Sequence, residues 1–173
     1  QQCNDYLAGL MAQHPDRFGG FALLPLPDID AAIIECSRAL DDLKLDGITL
    51  LTSNDNKYIG HSDFEPLYGE LNRRKAVVFI HPCYPPGTEA DGWNIPRMLI
   101  DYPFETTRVA VNLILQGVVK RYPDIKFILA HSGGTLPFLA HRISIFDKDT
   151  PFRDNYPKGA MAYFRKFWFD TAL

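Results

Sequence analysis

Two histidines stand at the ends of apolar segments and have a side chain suited to metal binding or proton transfer. His81 follows residues 76–80, and His131 follows residues 126–130. Both segments are short and continuous, as buried parallel strands are. The carboxyl ends of such strands lie at the edge where α/β proteins carry out their chemistry. The two imidazoles are therefore expected to converge on one pocket.

Each histidine has a structural as well as a chemical interpretation. His81 is either a zinc or manganese ligand or a buried imidazole bonded to backbone carbonyls. His131 precedes a turn at 132–134 with two glycines. It is therefore a metal ligand, a general acid or base, or part of a structural turn from strand to helix. Backbone amides at the start of the following helix could also bind an anion.

Four other side chains are candidates for contacts with a substrate or a metal. Trp93, in the long loop after His81, can stack on a planar substrate or simply anchor the loop. Arg142, on the helix after His131, can bind a carboxylate in fork geometry or form a surface salt bridge. Cys83 is a soft ligand or an inert thiol, and Asp170 ends a strand at a catalytic location without a specified role.

These residues are positioned by five predicted strands that alternate with helical patterns. The predicted strands are 20–24, 47–52, 76–81, 126–130 and 167–170. Asn4, either Asp28 or Asp30, and Asp63 are expected to cap helices, and further helices are expected at 104–121 and 135–146. The alternation predicts a single α/β domain over residues 1–173 with a parallel sheet.

Two architectures contain such an array: an open doubly wound sheet and a part of a (β/α)₈ barrel. Five units are too few for a closed barrel, which takes about 250 residues. No glycine-rich phosphate-binding fingerprint follows a strand, and histidines mark the strand ends instead. This favours a partial TIM barrel of about five βα units.

The composition indicates which partners and which cellular compartment to expect. The net charge is −3 without a basic cluster, so neither nucleic acid nor a membrane surface is an expected partner. No apolar run approaches the ~20 residues that a membrane span requires. The three cysteines form neither a disulfide framework nor a zinc motif, and we expect a cytoplasmic protein.

Six segments in order resemble the amidohydrolase-related family that includes aminocarboxymuconate-semialdehyde decarboxylase and the γ-resorcylate-type decarboxylases. The segments are 17–25, 46–48, 79–82, 102–107, 130–134 and 142–144. The resemblance implies a distorted (β/α)₈ barrel with one divalent metal, usually zinc and sometimes manganese. It also implies a homodimer and a small substrate that bears a carboxylate.

The resemblance assigns roles to four residues. His81 is the metal ligand, and His131 is the catalytic acid or base near metal-bound water. Arg142 reaches a substrate carboxylate across the dimer interface, and Trp93 roughly matches an active-site tryptophan.

The chain also departs from the family pattern. The family's metal ligands on the first and eighth strands are absent here, and the chain matches strands three to seven. Asp170 falls on strand seven and is not the missing aspartate, while Ser132 replaces a glycine of the family's triple-glycine run. Since a catalytic zinc needs about three protein ligands, we expect this chain alone to bind metal poorly and to be inactive.

The favoured function is that of a metal-dependent carbon–carbon lyase, a decarboxylase of a small aromatic or conjugated carboxylic acid. One alternative is a metal-dependent hydrolase or hydratase on the same scaffold, because fold does not decide the reaction. A second alternative is a non-catalytic homologue or inactive fragment. The lyase would release carbon dioxide, whereas the hydrolase or hydratase would consume water, and this difference distinguishes the two.

Overall fold

The computed structural model describes residues 1–86, 95–148 and 150–172. Its main sheet has five strands, all parallel, in the order β1-β2-β5-β6-β7, and β3 and β4 form a separate antiparallel hairpin. The strands are β1 Phe21–Leu23, β2 Gly47–Leu51, β3 Ser53–Asn54, β4 Lys57–Tyr58, β5 Val77–His81, β6 Lys126–Leu129 and β7 Trp168–Phe169. All five predicted parallel strands are confirmed, and the hairpin follows β2.

Helices separate the successive parallel strands, as a βα array requires. They are α1 Gln2–Gln13, α2 Ile29–Ser37, α3 Glu65–Arg73, α4 Asp101–Leu115, α5 Val118–Arg121, α6 Leu136–Ser144 and α7 Ala160–Phe164. A π-helical turn, Arg38–Asp42, and short 3-10 turns complete the connections. The predicted helix over 104–121 is divided, because Gly117 has a left-handed backbone between α4 and α5. Among the described residues, no helix is both long enough and apolar enough to cross a bilayer.

The sheet buries one face against the helices and leaves the other partly open. Along β5, Val78 and Ile80 are fully buried, whereas His81 is half-buried on the opposite face. Strand residues alternate between faces with a period of two, so His81 shares its face with Phe79. Leu67 of α3 and Leu113 of α4 are fully buried in the same core.

Asn4 does not cap the first helix, and that prediction is wrong. Helix α1 begins at Gln2, and Asn4 is 1% exposed. Its Nδ2 donates to the Leu23 carbonyl at 2.9 Å, and its Oδ1 accepts the Leu23 N–H at 2.9 Å. The amide therefore satisfies two backbone groups on the outer side of edge strand β1, in place of another strand.

The two aspartate caps have different outcomes. Of the two alternatives Asp28 and Asp30, Asp28 caps α2, because its Oδ1 accepts the Ala31 N–H at 3.0 Å. Asp63 is not a cap: the Nδ1 of His61 accepts the Asp63 N–H at 3.2 Å and begins a 3-10 turn ahead of α3. The prediction overlooked that a neutral imidazole can also accept a backbone hydrogen bond.

Candidate active site

His81 and His131 lie side by side at the carboxyl edge of the sheet. Their ring centroids are 5.4 Å apart, and both side chains are half-buried. Parallel pairing produces this juxtaposition: Ile80 of β5 pairs with Leu129 of β6, so each histidine follows its strand at a similar height. The two strand ends therefore bring their imidazoles together, as their positions in the sequence predict.

The backbone fixes the tautomer of His81. Its Nδ1 lies 2.8 Å from the carbonyl oxygen of Pro82. A carbonyl only accepts, so Nδ1 carries a proton, and in the neutral imidazole Nε2 is the nitrogen with the lone pair. Histidines that bind metals usually donate their second nitrogen in this way, which orients the ring. The Pro82 carbonyl is therefore a partner of the kind that orients a metal-binding histidine.

His131 is the second imidazole of the pair, and one of its ring nitrogens has no hydrogen bond within the described residues. Its Nδ1 is buried and has no hydrogen-bond partner among the described residues. Burial lowers the pKa of His131, the neighbouring His81 lowers it further, and the carboxylate of Asp170 opposes the two. An unpaired buried nitrogen costs about 1–3 kcal/mol, and such atoms in native proteins call for a partner or a chemical role.

A third ring, that of Tyr102, lies next to both imidazoles. Its centroid is 6.1 Å from that of His81 and 6.3 Å from that of His131. Tyr84 extends the aromatic group, 6.4 Å from Tyr102 and exposed. Sequence reasoning assigned no role to Tyr102. Its place in the first turn of a helix that returns from the catalytic edge is the signal that could have identified it.

Helix α4, which carries Tyr102, is held in place at its amino-terminal end. Glu105 is fully buried, and both of its carboxylate oxygens accept from the Tyr58 hydroxyl, at 2.8 and 3.0 Å. The Oγ1 of Thr107 accepts the Thr135 N–H at 2.9 Å. These bonds join α4 to the β3–β4 hairpin and to the turn after His131.

The turn after His131 has an unusual backbone. Four successive residues have positive φ: His131 at 55°, Ser132 at 52°, Gly133 at 81° and Gly134 at 63°. The left-handed conformation costs roughly 1–2 kcal/mol at each residue that has a Cβ. Glycine is required at 134, because a Cβ there would lie 2.1 Å from the Pro103 carbonyl oxygen. The close approach of α4 to the turn depends on this glycine.

The backbone amides of the turn are already hydrogen-bonded within the chain. The anion site expected at the start of the following helix stays a prediction. Each N–H from residue 132 to 135 has an acceptor within the chain. The acceptors are, in order, Asp170 Oδ1 at 2.9 Å, the Ala130 carbonyl at 3.1 Å, the His131 carbonyl at 2.8 Å and Thr107 Oγ1 at 2.9 Å. The consecutive left-handed residues direct these amides back into the protein.

Cys83 is held by hydroxyl groups. Its Sγ lies 3.2 Å from the Ser53 Oγ and 3.3 Å from the Thr52 Oγ1. Within the described ranges, no group of three histidine, cysteine or acidic side chains is placed to hold a metal. The described residues thus fit one part of a metal site, namely His81 with His131 beside it.

The sequence also matches a known protein family. A family model for amidohydrolases matches residues 1–168. This chain belongs to the amidohydrolase family. The resemblance inferred from the six segments is thereby confirmed.

Curated relatives of this amidohydrolase-family chain include fungal decarboxylases. It is 47% identical to decarboxylase yanB of Aspergillus niger, over 100% of this chain and 50% of the relative. It is 38% identical to 6-methylsalicylic acid decarboxylase of Penicillium expansum, over 100% of this chain and 55% of that protein. The chain spans about half the length of the curated relatives it matches.

Solved structures of family members have the same fold. A 2,6-dihydroxybenzoate decarboxylase in complex with 2,6-dihydroxybenzoate superposes with a TM-score of 0.84 at 30% identity, over 97% of this chain and 56% of that one. A dihydroxybenzoic acid decarboxylase from Polaromonas sp. JS666, with bound manganese and 2-nitroresorcinol, gives 0.84 at 28% identity, over 97% and 55%. The expected α/β fold, a partial barrel of five βα units, is confirmed.

Of the two remaining predicted site residues of this amidohydrolase-family chain, only Arg142 is among the described residues. Trp93 lies outside the described residues. Arg142 is exposed on α6 and lines a groove of about 430 Å³ that contains neither histidine. The groove is mostly apolar, with Leu115, Leu139, Ile143, Phe146, Phe152 and Tyr156 among its residues. Within the described part of the chain, Arg142 forms no ion pair.

Proposed function

We propose that this chain provides part of the active site of a metal-dependent decarboxylase that acts on a small aromatic or conjugated carboxylic acid. The observation that carries the proposal is the pair of imidazoles 5.4 Å apart at the carboxyl edge of the sheet. The names of relatives give the reaction class, since they describe decarboxylases of 6-methylsalicylic acid and 2,6-dihydroxybenzoate. The pair of imidazoles and the reaction class of the relatives together support the proposed activity of the whole protein.

In this proposal His81 is a ligand of the divalent metal. Its Nδ1–H is bonded to Pro82, which leaves Nε2 available to a cation. Zinc and manganese both accept imidazole ligands, and the Polaromonas relative contains manganese. A divalent cation held there supplies positive charge that binds and polarises a substrate carboxylate or a neighbouring oxygen.

His131 is proposed as the group that transfers a proton. In decarboxylation of an aromatic acid, a proton adds to the ring carbon that bears the carboxylate. The bond to the carboxylate carbon then breaks, its electron pair returns to the ring, and carbon dioxide leaves. Protonated His131 donates this proton and recovers one from solvent, so one C–H bond replaces one C–C bond.

Three further side chains are proposed to contact the substrate. Tyr102 offers an aromatic surface beside both imidazoles, against which a flat substrate ring can pack. Arg142 is exposed and without an ion pair in the described residues, which suits a guanidinium that binds a carboxylate across a homodimer interface. Trp93 completes the proposed contacts from the loop after His81.

The proposal is tested on the full-length gene product that contains this chain. Metal content is measured by elemental analysis, and carbon dioxide release is measured with 2,6-dihydroxybenzoate and 6-methylsalicylate as probes. His81→Ala should lose both the metal and the activity. His131→Gln should keep the metal and lose about 10²–10⁴-fold in kcat.

The matched control is His14→Ala, which alters an exposed histidine and should leave metal and activity unchanged. The metal role of His81 fails if His81→Ala retains the wild-type metal content. The decarboxylase assignment fails if turnover of an aromatic acid consumes water without release of carbon dioxide, in which case the hydrolase or hydratase alternative replaces it.

A further inference from the structure

Asp170 follows the last strand and contacts the turn that carries His131. Its Oδ1 accepts the N–H of Ser132 at 2.9 Å. Its own N–H donates to the Leu129 carbonyl at 3.1 Å, which continues the pairing of β7 with β6. The residue that follows β7 is therefore bonded on both sides of His131, to the strand before it and to the turn after it.

The hydrogen bond from Ser132 to Asp170 holds a peptide group whose two residues have an unusual backbone conformation. The Ser132 N–H belongs to the peptide group that joins His131 to Ser132, and both residues have left-handed φ angles, 55° and 52°. Such conformations persist in residues with side chains only where surrounding contacts determine them. The orientation of this peptide group also fixes ψ of His131, and with it the direction of the imidazole.

A second contact from β7 supports the same turn. A Cβ added at Gly133 would lie 2.8 Å from the ring of Phe169, so the turn is packed directly against that ring. Phe169 and Asp170 are consecutive. The end of β7 therefore holds the turn at two successive residues, one by packing and one by a charged hydrogen bond.

We propose that Asp170 is a positioning residue for His131, which it holds beside His81 through the Ser132 N–H. This inference rests on the proposed function, in which His131 moves the proton. A charged acceptor on a backbone N–H is stronger than a neutral one, which suits a peptide group in a strained conformation. Asp170 acts through the turn and has no contact with the substrate in this proposal.

The substitutions Asp170→Ala and Asp170→Asn separate the acceptor from the charge. Asp170→Ala removes the acceptor, so kcat should fall by about 10- to 100-fold as the imidazole leaves its position. KM and metal content should stay at wild-type values. Asp170→Asn keeps an acceptor oxygen of the same reach and should restore kcat to within about threefold of wild type. Asp16→Ala, at an exposed site, is the control.

A double-mutant cycle with Ser132→Gly tests the coupling. Glycine adopts a left-handed backbone without strain, so it should reduce the loss caused by Asp170→Ala. Additive effects of the two substitutions would contradict a role through the turn. A crystal structure of the Asp170→Ala protein should show the His131 ring displaced from His81, a readout that does not depend on activity.

The other outcomes are also decisive. If both Asp170 variants lose metal, Asp170 is a ligand and the positioning role is wrong. If Asp170→Asn is as impaired as Asp170→Ala while metal is retained and the His131 ring keeps its place in the Asp170→Ala structure, the charge acts directly and the positioning role is again wrong. If the wild-type protein releases no carbon dioxide, the proposed function fails, but displacement of the ring in the Asp170→Ala structure still supports the positioning role.

Discussion

The ring of Tyr102 lies 6.1 Å from the ring of His81, in the first turn of helix α4. Three aromatic rings thus surround the carboxyl edge of two neighbouring strands, and one of them comes from a helix. Aromatic pairs contribute about 0.5–1.5 kcal/mol beyond the burial of their area. The first prediction concerns this ring.

Substitution Tyr102→Ala should weaken substrate binding more than it slows the chemical step. If a flat substrate ring packs on Tyr102, KM should rise by roughly 3- to 10-fold, as the energy of an aromatic pair implies. Tyr102→Phe retains the ring and should keep KM near the wild-type value. Steady-state kinetics of the full-length protein measures both. A loss of metal in Tyr102→Ala would show instead that the ring supports the His81 site.

The second prediction concerns Asn4, whose amide completes edge strand β1. Asn4→Ala leaves the backbone N–H and carbonyl of Leu23 without their side-chain partner, at a cost of about 1–3 kcal/mol. Asn4→Asp should cost more, because it places an oxygen against the Leu23 carbonyl and the Glu35 carboxylate. Urea unfolding measures the changes. Gln2→Ala, at an exposed position of the same helix, should be close to neutral.

This region illustrates what sequence patterns can and cannot predict. The five strands were predictable because each is a short apolar run followed by a residue that ends it. A cap at Asp28 or Asp30 was predictable because a cap is a local hydrogen bond. Asn4 has the residue type of a cap as well. Its actual partners, Leu23 and Glu35, are 19 and 31 residues away, and no local pattern reports such contacts.

The candidate site shows the same limit of local sequence patterns. His81 and His131 were predictable because parallel strands bring their carboxyl ends to one edge. The hydrogen bond of Asp170 to the Ser132 N–H was not predictable, since it occurs in a turn with four successive positive φ angles. Glycines at 133 and 134 indicate a turn, but nothing in the residue types of His131 and Ser132 indicates a left-handed backbone.

The third prediction concerns the pH dependence of stability through Glu35. Hydrogen bonds from Arg38 are the main cause that lowers the pKa of Glu35 from 4.5 to about 2, with a further contribution from Asn4. Because the pKa is lower in the folded state, this carboxylate stabilises the protein above about pH 4.5, and the stabilisation is lost as pH falls toward about 2. The full effect is on the order of 3 kcal/mol.

The measurement is the free energy of unfolding of wild type and Glu35→Gln at about pH 6 and about pH 3. The difference between the two proteins should be large at the higher pH and should shrink at the lower one. Asp16→Asn, an exposed carboxylate, should give a difference that is small at both pH values. An equal difference at both pH values for Glu35→Gln would mean that its ionisation does not contribute to stability.

The fourth prediction concerns Gly134, where the turn after His131 meets helix α4. Gly134→Ala places a Cβ 2.1 Å from the Pro103 carbonyl oxygen, and φ of 63° with ψ of −131° is accessible essentially only to glycine. The chain must move α4 or the turn, so unfolding free energy should fall by about 2 kcal/mol or more. Activity should fall as well, because Tyr102 precedes Pro103 directly and His131 lies in the displaced turn.

The matched control for Gly134→Ala is Gly69→Ala. Gly69 lies within α3, and a Cβ there has no heavy atom within 4 Å. Alanine in a helix is more favourable than glycine by about 1 kcal/mol, so this variant should be more stable than wild type and equally active. Since both substitutions add one methyl group, the opposite signs of their stability changes isolate what is specific to position 134, namely the contact with Pro103 and the left-handed backbone. If Gly134→Ala were as stable and active as wild type, the close approach of α4 to the turn would not be needed to position Tyr102 and His131.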